Sequence, residues 1–250
     1  MLIFGGQKLI YDNQALKLHT ALINLRRHPL RNGRMLDVFA DFFKVDKENP
    51  SCITQNISQL HNHIFEIKKF CTGTTFLEKQ YNKWSSPINQ TFLNIHLPSS
   101  HSNFVNGFND EHLFLLETTH DALVDKYQHY KQLDQILIDE LIQSLNAKLT
   151  ETLKSQASDK VKLYIQHQLQ SLINNLENYN YLGLQNIHKT IDSTIGHIVT
   201  DQDFKAYAQT SEGKNLFGDL LKITGLLEIT ESATQSILNI QQLIQISIGG

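Results

Sequence analysis

At 250 residues, 40% of them hydrophobic and 19% charged, the chain has a globular composition, which excludes an intrinsically disordered segment. This length suffices for a substantial core in one large domain or two small ones. Two cysteines, Cys52 and Cys71, are too few for a disulfide scaffold and lack zinc-ligand spacing, which points to a reduced, cytoplasmic setting.

The net charge of −3 hides an asymmetry. Residues 1–100 carry twelve Lys and Arg against seven Asp and Glu; residues 101–250 carry ten against eighteen. The expected organisation is therefore a basic region of shorter helices (1–100) followed by an acidic bundle of longer ones (101–250), possible within one continuous domain. The abundance of Asn, Gln, Ile, Leu and Lys suggests an AT-rich, bacterial source.

The opening "MLIFGGQKLIYDN" has an apolar run of only four residues, so no signal peptide is expected. Asp12 is the expected N-cap of a first helix, whose stripe is Ala15, Leu18, Leu22 and Leu25. That helix is expected to end at Arg26, Arg27 and His28, where its dipole favours cations. Met35, Leu36, Phe39, Phe42 and Phe43 outline a second, short helix. Ile53, Ile57, Leu60, Ile64 and Ile67 outline a third, carrying His61 and His63. Two positions apart on a helix, these histidines point about 200° apart, so they are expected not to share a metal. His61 is expected to flank the apolar stripe and His63 to face solvent. Pro87 reads as the first turn of another helix, and "HLPSSHSNFVNGFN" (96–109) as a loop or domain boundary.

From Ser99 onward there is no proline for 152 residues, which permits long helices. Leu113, Leu116, Leu123, Tyr127, Tyr130, Leu133, Leu137, Leu141 and Leu145 share one stripe, compatible with a single helix of some forty residues. Ser158 is the expected cap of a helix bearing Ile165, Leu169, Leu172 and Leu176. Leu184, Ile187, Ile191, Ile195 and Ile198 form the next, and Thr200 with Asp203 an expected cap for the helix of Phe204 and Tyr207. Ala233, Ile237, Ile240 and Ile244 suggest a last helix, although "IQISIG" alternates like a strand. The final nineteen residues are uncharged but too rich in Gln and Asn for a span of about 20 apolar residues, so no membrane contact is expected. The expected fold is all-α: a multi-helix bundle of seven to nine helices, above 60% helix, with little or no sheet.

No phosphate-binding glycine loop, dinucleotide fingerprint, nucleophile elbow or HExxH is present. Glu117 and His120 form an ExxH, the spacing of helical di-iron sites, but no second ExxH exists to complete one. They are weak metal candidates, with His96, His101 and His112 nearby in sequence; no metal or cofactor is expected. Glu117, Asp121 and Asp125, four apart, make an acidic strip suited to a cation or a basic partner.

All four arginines of the chain lie in "RRHPLRNGR": Arg26, Arg27, Arg31 and Arg34, with His28 among them. Elsewhere the chain uses lysine, eighteen times. Only arginine offers a planar fork that grips a carboxylate or phosphate at two points, so this cluster is the candidate partner- or anion-binding site. No aromatic residue interleaves it for base stacking, and the acidic second half disfavours duplex binding. The reading is a non-enzymatic, protein-binding protein of a toxin-neutralising (immunity- or antitoxin-like), defence-related or regulatory kind. The alternatives are a protein that binds nucleic acid or a phosphorylated ligand through the arginines, and a metal-dependent enzyme built on the 96–121 histidines. Whether the arginines face outward or pack on the Glu117–Asp125 strip is open at this stage.

Overall fold

The computed structural model describes residues 3–4, 7–8, 13–127 and 133–227. These residues are mostly helical (80%). Among the described residues there are twelve helices, more than the seven to nine expected, and a two-stranded hairpin, β1 (Ile3–Phe4) and β2 (Gln7–Lys8). No helix among them is long and apolar enough to cross a membrane. They fall into two compact units: residues 13–127 with 180–183, and residues 3–4, 7–8, 133–179 and 184–227. The expected terminal helix or strand beyond residue 227, Asp12 and Tyr130 lie outside the described residues.

The first unit holds α1 (Gln14–Arg26), α2 (Met35–Phe42), α3 (Pro50–Cys71), α4 (Thr75–Leu93), α5 (His101–Val105) and α6 (Asp110–Tyr127). Asn13 caps α1, its side-chain oxygen accepting from the Leu16 amide at 3.0 Å. Asn49 caps α3 in the same way, with Pro50 in the first turn, where its missing N–H costs nothing. The stripe from Ile53 to Ile67 is buried, as its spacing predicts. Pro87 does not start a helix. It lies inside α4, where neighbouring packing holds the helix on either side of it: Trp84 is fully buried and its indole N–H donates to the Thr119 hydroxyl of α6 at 3.0 Å. The core is aromatic, with Phe39, Phe43, Trp84 and Phe104 all enclosed. Segment 96–109 lies within this unit and contains α5. Residues 180–183 return to the same core, burying Leu182. His63 is therefore not solvated: it is 5% exposed and its Nε2 donates to the Tyr181 carbonyl at 2.7 Å. A contact made 118 residues away overrides the local pattern.

The second unit holds α7 (Gln135–Lys154), α8 (Asp159–Glu177), α10 (Gln185–Thr200), α11 (Gln202–Gln209) and α12 (Ser211–Leu227), with the short α9 (Tyr179–Leu182) beginning in it. The 113–145 stripe is two helices rather than one. Leu133 and Asp134 are non-helical, and the Asp134 carboxylate caps α7 by accepting from the Ile136 amide. A side chain that competes for backbone N–H groups starts a helix instead of continuing one. Ser158 caps α8 as expected. Asp201, not Thr200 with Asp203, caps α11. The core joins Leu169, Leu172, Ile187, Ile191 and Leu220, at 0–1% exposure, to the buried rings of Tyr179, Phe204 and Phe217. Gly213 sits so close to α11 that a Cβ there would fall 2.0 Å from the Tyr207 carbonyl oxygen.

Candidate functional site

The arginines occupy the turn between α1 and α2, where they separate into two classes. Arg26 reaches Asp110 at the start of α6 through a direct guanidinium–carboxylate contact. Arg34 grips Asp37 bidentately, Nε at 2.8 Å and Nη2 at 3.0 Å. That hydrogen-bonded pair holds the Asp37 carboxyl below its usual value. His28 is buried; its Nε2 lies 3.1 Å from Asp41, and its Nδ1 accepts the Leu30 amide at 3.2 Å. Arg27 and Arg31, by contrast, are exposed, and neither makes an ion pair among the described residues. Leu30 between them is 47% exposed.

The turn is fixed from behind by segment 97–101. The Met35 amide donates to the Ser99 carbonyl (2.8 Å), Leu36 to Leu97 (2.9 Å), and His101 to Gly33 (2.9 Å). The His101 ring is wholly buried, edge-on to Phe39 and stacked on Phe104, with neither ring nitrogen in a well-formed hydrogen bond. Burial lowers its pKa, the Arg31 backbone carbonyl opposes this, and His28 adds to the lowering.

The acidic strip lies elsewhere. Glu117, Asp121 and Asp125 are exposed on α6. Helices α1 and α6 run antiparallel: Arg26 meets Asp110, while Asn13 meets His120, its amide on Nδ1 at 2.6 Å. Asp121 is eleven residues along α6 from Asp110, roughly 16 Å at the α-helical rise. This register sends the arginine turn and the strip to opposite ends. Glu117 and Asp121 face His19 of α1 instead, whose pKa burial lowers against their opposing pull. His120 is half-buried, 3.9 Å from Asp121, and its pKa is also lowered by burial. His96 bonds Ser99, and His112 pairs with the Asn109 backbone, both locally. Among the described residues no three His, Cys, Asp or Glu side chains converge as a metal-binding set.

Sequence reasoning missed the aspartates that spend half the cluster. Asp37, three residues after Arg34 at the start of a helix, was legible from spacing. Asp41 and Asp110 were not, since only tertiary packing brings them in. It also missed a polar joint in the second unit. There Asp201 receives Lys160 at 2.7 Å and lies 3.7 Å from His197, which stacks on Tyr164 with centroids 4.0 Å apart. Beside it a cavity of about 320 Å³ is lined by Ser155, Ser158, Asp203, Tyr207 and Glu212. Asp201 is committed to Lys160 and to capping α11, and Glu212 to Ser211 and Thr210 at the start of α12. Asp201 thus ties α8 to the start of α11, while Glu212 is held locally. No family model, characterised protein or solved structure matches the chain.

Proposed function

We propose that the chain is a non-enzymatic protein-binding protein that docks an acidic partner on the α1–α2 turn. The observation that carries this reading is the division of labour within the cluster. Arg26, His28 and Arg34 are tied to Asp110, Asp41 and Asp37, while Arg27 and Arg31 project with Leu30 between them. A turn pinned at both ends presents its free forks with little ordering cost, which favours recognition. Two planar guanidinium groups flanking an apolar side chain suit carboxylates around a small apolar contact.

The three aspartates beside four arginines leave little local excess of positive charge, and a polyanion draws its affinity from that excess. A protein partner therefore suits the turn better than nucleic acid. The toxin-neutralising, defence-related or regulatory class is the biological setting we infer for such a partner. The test is affinity capture with the wild type and with Arg27→Ala/Arg31→Ala, across a salt series. A stoichiometric protein lost in the double variant and weakened by salt supports the reading. A 260 nm excess removed by nuclease, with no protein, overturns it in favour of nucleic acid.

A further inference from the structure

We propose, resting on that docking reading, that the α1–α2 turn is acid-sensitive: it holds Arg27, Leu30 and Arg31 in place only while His101 is neutral. The chemistry follows from two imidazoles placed one behind the other. His28 uses Nδ1 as an acceptor for the Leu30 amide while Nε2 faces Asp41.

His101 sits behind the turn, and its own backbone amide holds Gly33. Its ring is enclosed by Phe39 from α2 and Phe104 from α5, neither of which carries a counter-charge. The titratable group facing it from the turn is His28, which disfavours a positive charge on His101, while the Arg31 backbone carbonyl favours one. Arg34, joined to the neighbouring Ser100 by a backbone bridge, is already engaged with Asp37. Burying a charged imidazole in such a cage is unfavourable, so a proton on His101 is best accommodated by releasing the 97–101 segment, and with it the turn.

A ring whose folded pKa lies below its unfolded value stabilises the closed turn above about pH 6.5, and the contribution is lost as pH falls from there through the folded value. The experiment is amide hydrogen exchange on the isolated protein between pH 7.5 and 5.0, as protection factors corrected for intrinsic exchange. In the wild type, protection at Leu30, Met35, Leu36 and His101 should fall, about tenfold for each unit by which the His101 pKa is lowered. His101→Phe, which keeps the aromatic packing and removes the proton site, should retain protection at Met35, Leu36 and position 101. Unchanged wild-type protection, or an equal fall in His101→Phe, overturns the switch. Should that variant not fold, the wild-type His101 ring resonance decides. A midpoint below 6.5 with the Leu30 amide titrating in parallel upholds the switch, and a midpoint at or above it, or an indifferent Leu30, overturns it. No partner is needed for these readouts. A missing salt-sensitive partner at pH 7.5 would overturn the docking reading alone.

Discussion

The two units share a fold class and handle their polar groups in opposite ways. The first encloses histidines: His28, His63 and His101 are buried, and His19 and His120 half-buried. The second works with carboxylate–lysine networks between helices: Lys160 on Asp201 and Asp203, and Lys148 and Lys222 on Asp219. Regrouping by unit also dissolves most of the charge asymmetry. The described part of the first unit carries twelve Lys and Arg against eleven Asp and Glu, the second nine against eleven. The acidic helix α6 belongs with the arginines, so charge along the chain is not charge in space.

The largest expected effects come from the cores. Trp84→Ala in the first unit should cost about 3–5 kcal/mol, and Leu172→Ala in the second about 2–5 kcal/mol, by urea unfolding. Trp84 adds the loss of its hydrogen bond to Thr119. Losses below about 1 kcal/mol at both positions would mean that these side chains are not enclosed.

Acidification separates the units next. Burial lowers the pKa of His19, His101 and His120, so their neutral forms stabilise the first unit above about pH 6.5 and that contribution is lost as pH falls through the lowered values. In the second unit the Lys160 contact lowers Asp201. Burial raises Asp219, but hydrogen bonds from Lys222 and Lys148 outweigh it and leave it lowered. Those contributions are present above about pH 4 and lost below it. Peptide-resolved hydrogen exchange between pH 7 and 5 should therefore show α1, α2 and α5 losing protection before α8 and α10. The reverse order would break the comparison.

Caps give smaller effects. Ser158→Ala removes the acceptor for the Val161 amide and should cost about 1 kcal/mol. Asn13→Ala should cost more, because the same side chain caps α1 and holds His120, a second hydrogen bond of about 1 kcal/mol. Equal losses in thermal melts would mean that the Asn13–His120 contact contributes nothing.

The smallest stability effect is expected at the candidate site. Arg27→Ala/Arg31→Ala should change unfolding free energy by less than about 0.5 kcal/mol, since neither guanidinium is packed or paired among the described residues. A double variant that unfolds would make these arginines structural and remove the ground for a docking surface.

By itself the sequence determined the helical class, the buried stripes and several ends, including the burial of Ile53 to Ile67 and the cap at Ser158. Those features depend on period 3.6 and on side chains reaching their own backbone, both local in the chain. It also marked the arginine turn, because four arginines in nine residues stand out in a lysine-using chain. Tertiary structure alone decided which arginines remain free. Asp110 lies 84 residues from Arg26, and the antiparallel register of α1 on α6 selects it over Asp121. It likewise buried His63 under Tyr181 and placed His101 behind the turn. Such pairings follow from how helix faces pack, and that packing brings together residues with no spacing to announce them.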